Sequence, residues 1–201
     1  MKSIILGGGG CAREIISFLR EANTKVFGYI ALKDDGAIFD ALYLSDSLTL
    51  YSQESVDYYI ASGDPNIRMK MSEELTSMGL FAKNFFHSSS YINQDAIISP
   101  YGVIIYPGAT INVEAHLKNS CLINCGVSVG HGAIIGANSV ICPGAKISGN
   151  VKIGDNVFVG ANAVINENIS VVSGVVIGSG AIVIESISEI GTYVGVPAKK
   201  V

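Results

Sequence analysis

The chain has 201 residues, 49% of them apolar and only 15% charged, so burial can be extensive. Thirteen Lys and Arg against 17 Asp and Glu give a net charge of −4, with neither the basic patch that nucleic acid requires nor a basic amphipathic helix that would lie on a membrane. No run reaches about 18 apolar residues and no basic leader with a cleavage site opens the chain. Cys11, Cys121, Cys125 and Cys142 form no CxxC pair, so the expectation is a reduced, cytoplasmic protein without membrane insertion.

In chain order, Lys2–Leu6 reads as a short β-branched strand, followed by Gly7-Gly8-Gly9-Gly10. CAREIISFLREA then carries Ile15, Ile16, Phe18 and Leu19 at helical spacing. Val26–Ile30 is a second strand, and Leu42–Leu44 a weak third. Tyr58–Ala61 is a buried-type strand ended by Ser62-Gly63-Asp64-Pro65. Asn66–Met78 reads as a second helix with Ile67, Met71, Leu75 and Met78 on one face, and Phe81–Phe86 as a last strand. Strands alternating with helices predict a small parallel α/β, Rossmann-like domain over residues 1–88, with the junction near His87–Tyr91.

The glycine turn matches GxGxxA at Gly7, Gly9 and Ala12. Glycines let a backbone approach a phosphate, and the helix start behind them favours an anion. The acidic residue expected to follow the second strand is absent, since Ala31 stands there, with Asp34 and Asp35 just beyond. Gly7, Gly8, Gly9, Gly10, Asp34 and Asp35 are therefore candidates for holding a nucleotide diphosphate acceptor. An ordinary tight turn fits the same residues.

From about Ile97 to Ser186 the chain repeats every six residues, and from Ile105 to Val183 the third position of fourteen consecutive blocks is aliphatic. A period of six does not fit a helix of about 3.6 residues per turn. It fits a short strand and a corner, with the first and third residues facing inward. The fourth position onward carries Gly, Asn, Asp and Pro, which tolerate corner dihedrals. Such hexads build a parallel β-helix, three to a triangular coil of about 18 residues. The predicted fold is thus mixed, a β-helix over residues 89–201 with a tail that leaves the pattern at Thr192–Val201.

His131 falls at a corner between Gly130 and Gly132, two residues after the inward Val129. A histidine there can take a proton from an incoming amine or hydroxyl. A surface histidine on a turn fits the position equally. His116 and His131 are fifteen residues apart and do not stack one coil on another, so no metal is expected.

IILGGGGCAREI, ASGDPNIRMKM, NCGVSVGHGAIIG, KISGNVKIG and GVPAKK together resemble the bacterial sugar acetyltransferases within the hexapeptide acyltransferase superfamily. That family includes the sialic acid O-acetyltransferase type and the N-acetyltransferases of nucleotide-linked 4-amino sugars, such as the bacillosamine enzyme. The resemblance covers nearly the whole chain. It implies a left-handed helix, a homotrimer with sites between subunits, acetyl-CoA as co-substrate, and a sugar or nucleotide-sugar acceptor in surface glycan synthesis. His131 then corresponds to the catalytic base and Asn124 to an asparagine near the acceptor. Gly149, one coil after His131, corresponds to the glycine whose N–H faces the thioester. Gly178, Gly180, Pro197 and Lys199 correspond to coenzyme A contacts. Three departures stand out: Gly132 where many amino-sugar members carry an acid, Cys11 for a histidine, and Ala31. Alternatives are O-acetylation of sialic acid, or a sugar-nucleotide-binding scaffold without catalysis.

Overall fold

The computed structural model describes residues 2–34, 36–48 and 55–201. It divides into two compact units, Met1–Asn84 and Phe85–Val201.

The first unit is a parallel sheet of β1 (Lys2–Leu6), β2 (Val26–Ile30), β3 (Leu42–Ser45) and β4 (Val56–Ile60), in the order β3-β2-β1-β4. Helix α1 (Gly10–Glu21) buries Ala12, Ile15, Ile16 and Leu19, the i, i+3, i+4, i+7 stripe of an amphipathic helix. Helix α2 (Pro65–Ser77) starts where the SGDP signal places it. Pro65 opens the first turn, and the Asp64 carboxylate accepts from Asn66 N at 2.8 Å and Ile67 N at 3.2 Å. Its inner face differs from the expected one. Leu75 and Arg68 are buried, whereas Ile67 is 45% exposed.

The second unit is a parallel β-helix of two-residue strands. One face stacks Ile97–Ile98, His116–Leu117, Ile134–Ile135, Lys152–Ile153 and Ser170–Val171. A second runs from Phe85–Phe86 through Leu122–Ile123 and Phe158–Val159 to Val176–Ile177 and the C-terminal hairpin of Thr192–Val194 with Lys199–Lys200. The third runs from Tyr91–Ile92 through Ser128–Val129 to Ile182–Val183. The first and third hexad positions line one continuous core, from Val103 and Ile105 to Ala181 and Val183.

The sixth position makes the corner. It is left-handed at Gly108, Gly126, Gly132, Asn138, Asn150, Asn162, Asn168 and Gly180, with φ between 55° and 68°. Gly and Asn enter that region at the lowest cost, which explains why they recur there. Its N–H bonds to the fifth-position carbonyl of the preceding coil, as Gly132 N does to Val113 O at 3.1 Å and Asn150 N to His131 O at 2.8 Å.

The helix begins earlier than the hexad frame suggests. Phe85–Phe86 and Tyr91–Ile92 already pair in its faces, so the Phe81–Phe86 segment is divided: Ala82 forms a parallel bridge to Tyr58 of β4, and Phe85–Phe86 belongs to the β-helix. Phe86, Ile92 and Ile98 pair nineteen residues ahead, with Ile105, Ile111 and Leu117. From Ile104–Ile105 to Val164–Ile165 the strands pair eighteen ahead, and Val176–Ile177 pairs sixteen ahead with Thr192 and Tyr193. One extra residue between Ile98 and Ile104 shifts the frame. Counted back from Ile105, the inward slots fall on Ser99, Asn93 and His87, which hides three true hexads.

The stack predicts specific costs. Ile135→Ala should lower unfolding free energy by about 2–5 kcal/mol in denaturant titration, since it empties a fully buried slot. Asn138, at φ 58°, should tolerate glycine with little change, while Asn138→Ala should cost about 1 kcal/mol. Equal effects of Gly and Ala would contradict the corner argument.

Candidate active site

Ser128–Val129 delivers His131 to the corner that leads into Ile134–Ile135. The side chain is exposed, and its ring lies on Gly149, the residue stacked one coil further on. A Cβ at Gly149 would meet His131 Cε1 and Nε2 at 2.5 Å each. Only glycine leaves that space, so Gly149 is the seat of the imidazole as well as its neighbour. Gly149 is buried, and among the described residues its N–H donates to nothing. A buried N–H without an acceptor is uncommon and is available to a ligand oxygen.

The residues flanking His131 serve the same stack. Gly130 lies on the Ser148–Gly149 peptide, where a Cβ would come 2.7 Å from Gly149 N. Gly132 has no side chain, and a Cβ there would sit 2.5 Å from Asn150 Oδ1. The amide oxygen of Asn150 therefore fills the position that an acidic side chain after the histidine would take. Asn150 Nδ2 donates onward to Asn168 Oδ1 at 3.3 Å.

Asn124 is half-buried at a different corner, between Leu122–Ile123 and Ser128–Val129. Its Oδ1 accepts from Cys125 N at 2.7 Å, which tightens its own turn. One chain does not bring Asn124 and His131 to the same corner. His116 lies on a strand rather than a corner, and among the described residues no three His, Cys, Asp or Glu side chains converge as a metal site.

At the C-terminal end, Gly178 N donates to Tyr193 O at 2.8 Å, and a Cβ on Gly178 would press Val194 Cγ1 at 2.8 Å. The glycine thus seats the terminal hairpin. Gly180 is left-handed, with φ 68° and open space around its Cα. Pro197 follows a cis peptide bond in the hairpin turn. Lys200 pairs with Glu189 Oε2 at 3.0 Å, while Lys199 is exposed and makes no ion pair among the described residues.

In the first unit, Gly7–Gly10 line an open groove of about 420 Å³ together with Cys11, Ala31, Ala61, Ser62 and Gly63. It lies at the carboxyl ends of β1 and β4, where the sheet order reverses, the usual ligand crevice of such sheets. No side chain caps α1, so its first N–H groups face the turn without the carboxylate that closes α2. Asp34 turns away from the groove. Its Oδ1 accepts from Gly36 N at 2.8 Å, beside the Tyr29 hydroxyl that donates to Gly36 O at 2.7 Å. Asp35 lies outside the described residues. Beyond Ala31 a smaller hollow of about 110 Å³ continues past Leu32 and Met71, and its acidic lining is Asp46 and Glu74. Ser62, Gly63 and Asp46 were not among the expected site residues. The SGDP run carried a signal for the first two, and nothing marked Asp46.

A family model for the hexapeptide repeat of succinyl-transferase matches residues 118–143 and 150–184. A His→Asn mutant of perosamine N-acetyltransferase from Caulobacter crescentus, in complex with CoA and GDP-perosamine, superposes with a TM-score of 0.95. It is 24% identical, over 100% of this chain and 97% of that one. The acetyltransferase domain of PglB from Neisseria gonorrhoeae, in complex with acetyl coenzyme A, is 25% identical with a TM-score of 0.93, covering 100% and 98%. WeeI from Acinetobacter baumannii AYE is 23% identical with a TM-score of 0.88, covering both chains in full. The chain is therefore a hexapeptide-repeat protein, an α/β unit followed by a left-handed parallel β-helix, built on the fold of the bacterial sugar acetyltransferases.

Proposed function

We propose that this protein transfers the acetyl group of acetyl-CoA to the amine of a nucleotide-linked 4-amino-4,6-dideoxy sugar. The observation that carries the reading is the His131 ring lying on Gly149, with an unpaired N–H beneath it among the described residues. In the reaction, the neutral amine attacks the thioester carbon. Gly149 N–H stabilises the oxyanion that develops, and His131 takes the proton lost by the nitrogen. The C–N bond forms, the C–S bond breaks, and the proton passes to the departing thiolate of coenzyme A. No covalent enzyme intermediate is required.

Two proteins of the same fold support the substrates. One was crystallised with CoA and GDP-perosamine and another with acetyl coenzyme A. The groove at Gly7–Gly10 suits the diphosphate, and Lys199 with Pro197 and Gly180 suits the phosphates and pantetheine of coenzyme A. Because Asn124 and His131 occupy different corners of one coil, a site that uses both requires the corner of a neighbouring copy. The reading accordingly includes a homotrimer, whose mass light scattering would report.

His131→Ala should lower kcat by at least about 100-fold in a free-thiol assay with a nucleotide amino sugar. Gly149→Ala removes no functional group yet should lower kcat about 10- to 100-fold by pushing the His131 ring off its seat. Near wild-type turnover in either variant would remove the corner from the mechanism. If no acceptor in a panel of nucleotide amino sugars and sialic acids releases thiol, while the nucleotide sugar still binds, the chain is a scaffold.

A separate variant tests the groove. Gly9 has φ −86° and open space around its Cα, so Gly9→Val costs the fold little and fills the approach to the turn. The acceptor KM should rise about tenfold or more while the acetyl-CoA KM stays fixed. A rise in both, or in neither, would place the acceptor elsewhere.

A further inference from the structure

Arg68 heads the fully buried side chains by size, with 0% exposure, on a helix whose other faces are largely solvent-exposed. A helical arginine can carry its charge to water at little cost. Burying the guanidinium instead is expensive unless hydrogen bonds offset it. Two of its hydrogen bonds reach the rim of the groove. Nη1 donates to Ile60 O at 3.1 Å and to Ser62 O at 3.0 Å.

Those two carbonyls flank Ala61, which joins β4 to the rim of the groove. Ala61 N donates to Leu6 O at 2.8 Å, and its own carbonyl oxygen rests so close to Gly7 that a Cβ there would strike it. Gly7, at φ 128°, is the first residue of the glycine turn, and its N–H bonds to Ile30 O at 2.8 Å. One guanidinium therefore fixes the strand end against which the turn is pressed.

An electrostatic consequence accompanies the geometric one. Carbonyls at the carboxyl edge of a parallel sheet carry partial negative charge toward the crevice, which opposes a diphosphate. Arg68 engages two of them, at Ile60 and Ser62, while Ala61, Ser62 and Gly63 and its helix neighbours Ile67 and Met71 line the groove. An arginine keeps its charge under all ordinary conditions and can serve two acceptors from one rigid fork.

We propose that Arg68 is a positioning residue for anion binding at the glycine turn, holding the Ile60–Ser62 strand end in place and offsetting its carbonyl charge. The inference rests on the acceptor reading above. It concerns a residue that touches neither the acceptor nor acetyl-CoA.

Arg68→Met removes fork and charge, and Arg68→Lys keeps charge alone. Titration calorimetry with GDP and UDP, steady-state kinetics at several salt concentrations, and thermal melts should be run on both variants and wild type. Arg68→Met should weaken diphosphate binding and raise the acceptor KM at least about tenfold. The acetyl-CoA KM and saturating kcat should stay within about twofold. Arg68→Lys should fall between, and should retain the salt dependence of the acceptor KM that the methionine variant loses. If the methionine variant does not fold, the lysine variant carries the comparison. Wild-type diphosphate affinity in the folded variants would overturn the inference and leave the acceptor reading intact. So would a parallel rise of both Michaelis constants in step with lost thermal stability. Failure of wild type itself to bind either diphosphate would overturn the acceptor reading, and this inference with it.

Discussion

The β-helix depends on one recurrent bond, from the N–H of each left-handed sixth residue between Gly126 and Gly180 to the fifth-position carbonyl of the coil before it. The bond closes each corner and sets the coil spacing. It also restricts what the sixth position can be, since Gly and Asn accept that backbone and most residues resist it. Glu114, at φ 57°, and Ser120, at φ 58°, are the exceptions within the coils. The apolar core then follows from register. Once successive corners coincide, every first and third residue stacks on its equivalent eighteen residues on, and Val, Ile and Ala fill the prism without gaps to arrange.

Regular stacking leaves specific backbone groups over, and the chemistry is built from those. The fourth-position N–H bonds to the neighbouring coil, as Gly130 N does to Ile147 O at 2.8 Å. The fifth-position N–H has no such partner and turns to whatever is near. At Cys125 it finds Asn124 Oδ1, at Ala137 it finds Asp155 Oδ1, and at Asp155 it finds Ser173 Oγ. At Gly149 no side chain supplies an acceptor among the described residues, and the imidazole of His131 occupies the space above. The candidate oxyanion donor is thus one of several fifth-position N–H groups without an acceptor among the described residues, set apart because Gly149 is buried where His131, Ala161 and Ser179 are not. The glycine turn of the first unit follows the same logic. α2 has Asp64 to satisfy its first N–H groups, while no side chain caps α1.

Much of this was legible in the sequence. A period of six specifies strand and corner, and the eighteen-residue spacing of His131 and Gly149 already implies that they stack. The glycine turn, both helices and the strand ends around Ser62–Pro65 are marked by residues whose backbone preferences are strong. What escaped the reading did so for physical reasons. A single extra residue between Ile98 and Ile104 moves three hexads out of frame, because a period-two strand pattern inverts its faces on a one-residue slip. Asp34 follows the second strand in sequence, and its Oδ1 accepts from Gly36 N, a local bond that residue type and spacing alone do not specify. Arg68 lies outside the apolar face that helical periodicity picks out, and periodicity has no means of seeing the two strand-end carbonyls that its guanidinium bonds.

In the roles proposed for them, Arg68 and Gly149 prepare a site for negative charge in opposite ways. At the glycine turn, the obstacle is the set of strand-end carbonyls, and a buried cation removes it by taking them as acceptors. At the corner, the proposed device is a single N–H, at Gly149, that has no acceptor among the described residues. The first arrangement requires a long, charged side chain and tolerates changes on the solvent side of its helix. The second requires the absence of a side chain, and even a methyl group would displace the histidine that rests there. A site made from missing atoms cannot be repaired by a conservative substitution, and that makes Gly149 the more constrained of the two positions.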